Sequence, residues 1–525
     1  MIYSTPCKYT KSKHTGFVKL NFVKRDGFVM KKKLNVIATA VLLASVTASY
    51  AYASSSTDET TAASASTSVA ATQEDSSMAA STETSTETST DSSTTGTSAT
   101  VEAPPEGTPP DGEPPRGKPG EGSDSYTDNG TAKYTQSGKS VTLTKQTIAA
   151  DQADQSIVKV TDSGKLTLTK STLSKKGATS SDDYSNFYGL NAGVLAASAS
   201  TIQLSDSTVK TDAKGANAVF ATGEGSTIHV KDVTIQTSAD SSRGLDATLK
   251  GTVNATNVKI KTAGEHSAAI ATDRGNGTIN VTKATGKTTG KGSPGIYSTG
   301  AITVSNSDLK ATGSEAAVIE GRNSITVNNT SLSGDVDRGV MLYQSFSGDA
   351  EVGTTVFTMN GGTLTAKAGP IFYSTNTEAV VNLKGAALKG NTGVLLNAAA
   401  DRWGTTGSNG ANVTLNADNQ TLPGSITADK ISSITANLKN KTTLKGAINP
   451  ENTAKSVALT LDKTSKWIVT ADSYLTTLTD SDAKLSNIID NGHTIYYDAS
   501  ASANSWLNGE TITLSGGGKL TPVSN

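Results

Sequence analysis

Ser200-Thr-Ile-Gln-Leu-Ser-Asp-Ser-Thr-Val209 and Ser226-Thr-Ile-His-Val-Lys-Asp-Val-Thr-Ile235 are two copies of one phrase. The stretch from Ser200 to Gly300 repeats it four times, each copy closing on a small apolar run such as Asn217-Ala-Val-Phe-Ala-Thr-Gly223 or Ser267-Ala-Ala-Ile-Ala-Thr272. Ile202, Ile228, Val253, Ile279 and Ile302 hold equivalent places, separated by 26, 25, 26 and 23 residues. Short alternating segments parted by Gly, Asn and Asp at this period mark a stacked solenoid. Three segments recur per turn: Thr-Ile-x-Val, then Val233-Thr-Ile-Gln-Thr237, then a run like Ala316-Ala-Val-Ile319. Alternation sends every second side chain inward. Three strands per coil, without a hexapeptide period, predict an all-β, right-handed parallel β-helix.

The series extends both ways. Val141-Thr-Leu-Thr144 and Leu166-Thr-Leu-Thr169 precede it; Ile325, Val356, Val380, Val413, Ile434 and Val457 continue it. A dozen or so coils at about 4.8 Å form a rod of roughly 60 Å. Composition agrees, with 35% hydrophobic and only 5% aromatic residues, too few large side chains for a bulky globular core. Both rod ends expose strand edges and need covering. Residues 465–525, with Trp467, Tyr474, Tyr496, Tyr497 and Trp506, are the expected C-terminal coils and cap, after a helix over 133–464.

The region before the helix reads differently. Lys31-Lys32-Lys33 after Met30, an apolar run from Leu34 to Val46 and Ala51-Tyr52-Ala53 form a three-part export signal within residues 1–53. The apolar run is too short to span a bilayer. Residues 54–132 are Ser/Thr-rich, then Pro-rich from Pro104 to Pro115, and read as a disordered, acidic stalk. The one cysteine, Cys7, precedes the cleavage site, which leaves no disulfide framework in the exported chain. Nine of the 46 basic and one of the 47 acidic residues lie in 1–53, so the remainder carries a net charge of −9. That balance argues against nucleic acid as a partner. The expected location is extracellular, secreted or held at a cell surface.

Departures from the repeat are where a function is expected. Leu166 to Ile202 spans 36 residues, Ile325 to Val356 spans 31 and Val380 to Val413 spans 33. In the last two the surplus follows the third strand, as Tyr343-Gln-Ser-Phe-Ser-Gly-Asp-Ala-Glu-Val-Gly353 and Asp401-Arg-Trp-Gly-Thr-Thr-Gly-Ser-Asn-Gly410. In-register stacking places both loops on one edge, together with Asp273, Arg274, Glu320, Arg322, Thr375 and Asn376. Tyr343, Phe346, Tyr373 and Trp403 there are suited to stacking on sugar rings, while Gln344, Asp349, Asp401 and Arg402 suit hydroxyl groups. The same residues equally suit turn-capping and coil-to-coil pairing. Insertion Ser180–Gly189 lies between the second and third strands, hence at a different corner, as a surface turn. Its Asp182 and Asp183 are weak candidates for Ca²⁺, and no cofactor or metal is expected.

His229, His266 and His493 stand apart, which leaves no zinc or Ser-His-Asp arrangement. Carboxylate chemistry on Asp273, Asp349 and Asp401 remains open, as in a polysaccharide lyase or glycoside hydrolase. A non-catalytic binding protein is the preferred expectation and a structural spacer the third. Thr-x-Thr pairs suggest ice binding, but Lys interrupts the columns and this ranks last. The broken-repeat motifs Gly244-Leu-Asp-Ala-Thr248, Ala271-Thr-Asp-Arg-Gly275, Ser293-Pro-Gly-Ile-Tyr-Ser-Thr-Gly300 and Trp403-Gly-Thr-Thr-Gly-Ser-Asn-Gly410 resemble a family of bacterial exported β-helix proteins of adhesin-like type. The likeness covers roughly 183–498. It implies a right-handed β-helix at the cell surface or beyond, with no established active site; the partner expected for the loop-bearing edge itself is a glycan or another host or bacterial surface component.

Overall fold

The computed structural model describes residues 129–523. The export signal and nearly all of the stalk lie outside them. From Thr131 the chain winds as a parallel β-solenoid with three strands per coil. Equivalent strands of successive coils stack into sheets of 14, 10 and 12 strands, here called the first, second and third sheets. Two four-stranded sheets take over the later coils, and the last of these ends in an antiparallel pair, Ile512–Thr513 with Lys519–Pro522. Ile202, Ile228, Val253, Ile279 and Ile302 are register partners, as their spacing implies.

The later positions differ: Val413, Ile434 and Val457 stack on one another but continue from Ala379, two residues before Val381, and Val356 and Val380 are off by one. Ile325 pairs with Phe357 and then Val381, not with Val356 and Val380. Phe357 and Val381 are fully buried, whereas Val356 and Val380 face outward and are half-exposed. A one-residue slip reverses every side chain in a strand. In Val356-Phe357 and Val380-Val381 both neighbours are apolar, so alternation leaves the register ambiguous.

A left-handed residue makes the corner between first and second strands in coil after coil. Asp206, Asp232, Asn257, Asn306 and Asn329 have φ between 46° and 56°. Asn and Asp tolerate this conformation better than other L-residues because their short polar side chains bond locally. The next corner is held from inside. Thr237, Thr262 and Thr288 each donate to the carbonyl five residues on, at 2.5–2.6 Å. Ser242, Ser267 and Ser293 accept backbone N–H groups from the preceding coil. In the earliest such coil Lys175 fills the threonine position. Its buried ammonium donates to the carbonyls of Gln152, Lys176 and Gly177. Burial lowers its pKa to about 8 despite Asp154 and Asp151 nearby.

Outside the first sheet an asparagine ladder runs along the rod. Asn437 donates to Asn416 at 3.0 Å and Asn416 to Asn382 at 2.9 Å. Replacing Asn416 with Ala breaks both bonds on a half-exposed face, so the expected cost is about 1 kcal/mol. A shift in the denaturation midpoint measures it; no shift would mean that water replaces the ladder.

Candidate functional site

The third sheet is unlike the other two. Strands Val219–Thr222, Leu245–Thr248, Ala317–Glu320, Val340–Tyr343 and Phe372–Thr375 are buried at every position, on both faces. Something must cover the outer face, and the three insertions do.

The first insertion is a helix, Asp182–Tyr188, rather than a surface turn. Ser181 caps its start by accepting the Tyr184 N–H, and Gly189 ends it in the left-handed region. A side chain at Gly189 would meet Leu195 and Phe220 of the sheet at under 3 Å, so only glycine lets the chain lie this close. The helix leaves the coil between the second and third strands, as the spacing implies, but it does not stay at that corner. The Phe187 carbonyl accepts from the Thr248 hydroxyl at 2.8 Å, and the Arg274 guanidinium lies 3.6 Å above the Phe187 ring. Asp182 pairs with Lys214 at 2.7 Å. Among the described residues no group of three or more His, Cys, Asp or Glu side chains is placed to hold a metal ion.

Beneath this cover the strands present acids. Asp246 projects from Leu245–Thr248 with no exposed surface, and no basic or hydroxyl side chain donates to its carboxyl. Asp273 lies beside it and is gripped by Arg243, Nε to Oδ2 at 2.9 Å. Arg243 also reaches Asn186 of the helix. Burial first, and the Asp273 charge second, push the Asp246 carboxyl well above the usual range, against the pull of Arg243. Burial likewise raises Asp273, with Arg243 opposing. A proton kept on Asp246 and donated to Asp273 accounts for the otherwise unpartnered carboxyl.

One step along the edge, Arg274 pairs with Asp349 of the second insertion, Nε to Oδ1 at 2.8 Å. Burial raises the Asp349 pKa and Arg274 opposes it. Glu320 is sealed, accepting from Tyr297 at 2.7 Å, Tyr343 at 2.9 Å, Ser347 at 3.1 Å and also Ser345. Asp273, Asp349 and Glu320 thus form one chain of neighbouring charges, as the stacking implies. Asp401 belongs to a separate group. It pairs with Arg338 at 3.1 Å and accepts from the Tyr373 hydroxyl at 3.3 Å, while Arg338 also faces Glu315 at 3.5 Å. Burial, with Asp401 nearby, pushes the Tyr373 phenol up to about 12.

Of the four aromatics expected to meet a ligand, Tyr343 and Tyr373 are buried, packed with Val318 and Met341 between the two acid groups. The other two reach the rim. Phe346 is 57% exposed and its ring centroid lies 6.1 Å from that of Trp403, which in turn lies 5.4 Å from Tyr343. The exposed Arg402 stands 4.9 Å over Trp403. Asn376 ties the loops together, its side chain donating to the Gln344 carbonyl at 2.8 Å and its backbone N–H to Asn409. Arg322 pairs with Glu351 at the outer margin. Four polar atoms under this rim lack a hydrogen-bond partner: Trp403 Nε1, Asn409 Oδ1, Gln344 Oε1 and Thr375 Oγ1.

No family profile, curated protein or solved structure matches this chain.

Asp246, Arg243, Arg338, Glu315 and the hydroxyls of Tyr297, Ser345 and Ser347 were not singled out by sequence reasoning. Asp246 alone carried a signal, as an acid at a third-strand position filled by Phe220, Ala271 or Tyr297 in register-related coils. The buried acids and arginines fasten the insertions to the sheet. Phe346 and Arg402 are what the two later loops leave exposed, beside the half-buried Trp403.

Proposed function

We propose that this is an exported, non-catalytic protein of adhesin-like type that binds a glycan at the rim formed by residues 344–353 and 399–410. The observation that carries the reading is the convergence of the repeat-breaking segments on one face, where they hold Phe346 against Trp403 with Arg402 above. Exposed aromatic surface with an adjacent guanidinium suits a sugar, which offers C–H faces and hydroxyls together. Binding is favoured over turnover because each candidate acid is paired with an arginine, Asp273 with Arg243, Asp349 with Arg274 and Asp401 with Arg338. Glu320 is 1% exposed with four hydroxyl donors, and Asp273 is 5% exposed and clamped by Arg243. General acid–base work requires a group within reach of substrate.

Among the described residues no helix is long and apolar enough to cross a membrane. Location outside the cell rests on the Met30–Ala53 pattern. A glycan array followed by titration calorimetry tests the binding. Trp403→Ala and Phe346→Ala are each expected to weaken affinity about tenfold, or about 1.4 kcal/mol, with the fold intact. Release of reducing ends or unsaturated uronates would establish an enzyme instead; affinity unchanged in both variants would move the site elsewhere.

A further inference from the structure

The two ends of the solenoid are finished differently. At the C-terminal end the edge beyond strand Thr477–Asp480 is closed by the 3-10 helix Ser502–Leu507. Asn504 donates to the Thr476 carbonyl at 2.9 Å and accepts the Leu478 N–H at 2.8 Å, and Trp506 Nε1 donates to the Leu478 carbonyl at 3.1 Å. Side chains there stand in for the missing next strand.

At the N-terminal end, strands Thr131–Ser137, Ser140–Thr144 and Thr147–Ala150 are the terminal members of the third, first and second sheets. Among the described residues none pairs with their outer edges. The Lys139 carbonyl and Lys145 N–H bond to the next coil. Since bonding direction alternates along a strand, Ser140 and Thr142 point the other way, into the open end. The core is also unfinished. Tyr134, Val141, Leu143 and Ile148 are only partly buried, whereas their register partners Val158, Leu166, Leu168 and Leu173 are at most 1% exposed.

Strand edges around an apolar core that no other described residue covers call for an occupant. The preceding chain is poorly suited to be one. Between residues 54 and 128 there is no Leu, Ile, Phe or Trp, and the larger apolar side chains are Val69, Met78, Val101 and Tyr126. A second copy offers what is missing, an identical ring of strand edges around an identical apolar centre. A two-fold axis across the rod sets one end on the other with the facing strands antiparallel, a self-complementary, closed contact. Lys133, Lys139 and Lys145 do not oppose this. Lys133 alternates with the inward Tyr134 and so points away from the core, and Lys139 and Lys145 are exposed where the first strand begins and ends.

We propose that the exported chain forms a head-to-head dimer through the N-terminal coil, Thr131–Ala150, giving a double-length rod with one candidate binding rim in each half. The proposal uses the export reading only for the removal of residues 1–53 and does not depend on glycan binding. Sedimentation equilibrium of the chain from Ser54 onward is expected to give twice the single-chain mass. Val141→Lys, which puts an ammonium into the open end, and Thr142→Pro, which removes an outward-pointing edge N–H, are each expected to halve that mass. Circular dichroism and the main unfolding transition should stay unchanged in both. A single-chain mass for the unaltered protein overturns the proposal, whether the preceding residues or nothing covers the end. So does a double mass that persists in both variants, since the contact then lies elsewhere. Loss of glycan binding by Trp403→Ala with the double mass retained would leave both readings standing, each by its own measurement.

Discussion

Arg243→Ala is expected to destabilise the protein by about 3–5 kcal/mol, the largest single-residue effect at the site. Removing one partner of a buried ion pair leaves the other charge without compensation. Arg243 is 9% exposed and meets Asp273 through both Nε and Nη2, at 2.9 and 3.3 Å. It also holds Asn186 of the covering helix. The loss should therefore have two signatures. The denaturation midpoint falls, and protease cleavage within 180–190 appears under conditions that leave the unaltered chain intact. Arg243→Lys should rescue little, because a point ammonium cannot reproduce the two-pronged contact. A midpoint shift worth under about 1 kcal/mol would show that the acid group beneath the helix is solvated, contrary to its burial.

Asp246→Asn is expected to do the opposite and raise stability at neutral pH. The folded-state pKa of Asp246 lies well above that of the unfolded chain. Below about pH 4 both states hold the proton and folding carries no penalty. As the pH rises past that point the unfolded state ionises first. The folded state must then keep its proton or bear a buried charge beside Asp273, so stability falls with rising pH through the folded pKa. An amide keeps a donor for Asp273 and has nothing to ionise. Other groups slope the other way. Burial tends to raise Asp462, but donors from Asn440, Thr464 and Ser465 outweigh it and hold its pKa at about 2. Its contribution is present at neutral pH and is lost on acidification toward that value. The decisive quantity is thus the difference between the two proteins across pH 4–8: it should widen with pH. A constant difference would mean that Asp246 is already ionised in the fold.

The coil-to-coil alignment, the three strands and the shared edge for the two later loops were legible in the chain, because a solenoid turns sequence period directly into neighbourhood. Ile202 and Ile228 touch because each coil returns to the same place, and a Gly-, Asn- and Asp-punctuated alternating pattern has few other ways to bury its apolar residues. Register at Val356-Phe357 was not legible, since two adjacent apolar residues satisfy either face. Nor was the final use of the edge residues. Arg274, Glu320 and Asp349 do share the edge, but Arg274 and Asp349 occupy each other and hydroxyls of Tyr297, Tyr343, Ser345 and Ser347 occupy Glu320. Whether a charged side chain faces a ligand or a partner depends on contacts made across 75 residues, as between Arg274 and Asp349.

The covering helix makes the distinction plain. Sequence by itself determined that Ser180–Gly189 interrupts the repeat and where it leaves the coil. Only tertiary structure decided that it lies back over the third sheet and seals Asp246, Asp273 and Arg243 from water. The repeat is a local rule, restated every two dozen residues, and so it can be read locally. A cover is set by the two surfaces it joins, and those surfaces exist only once the coils have stacked.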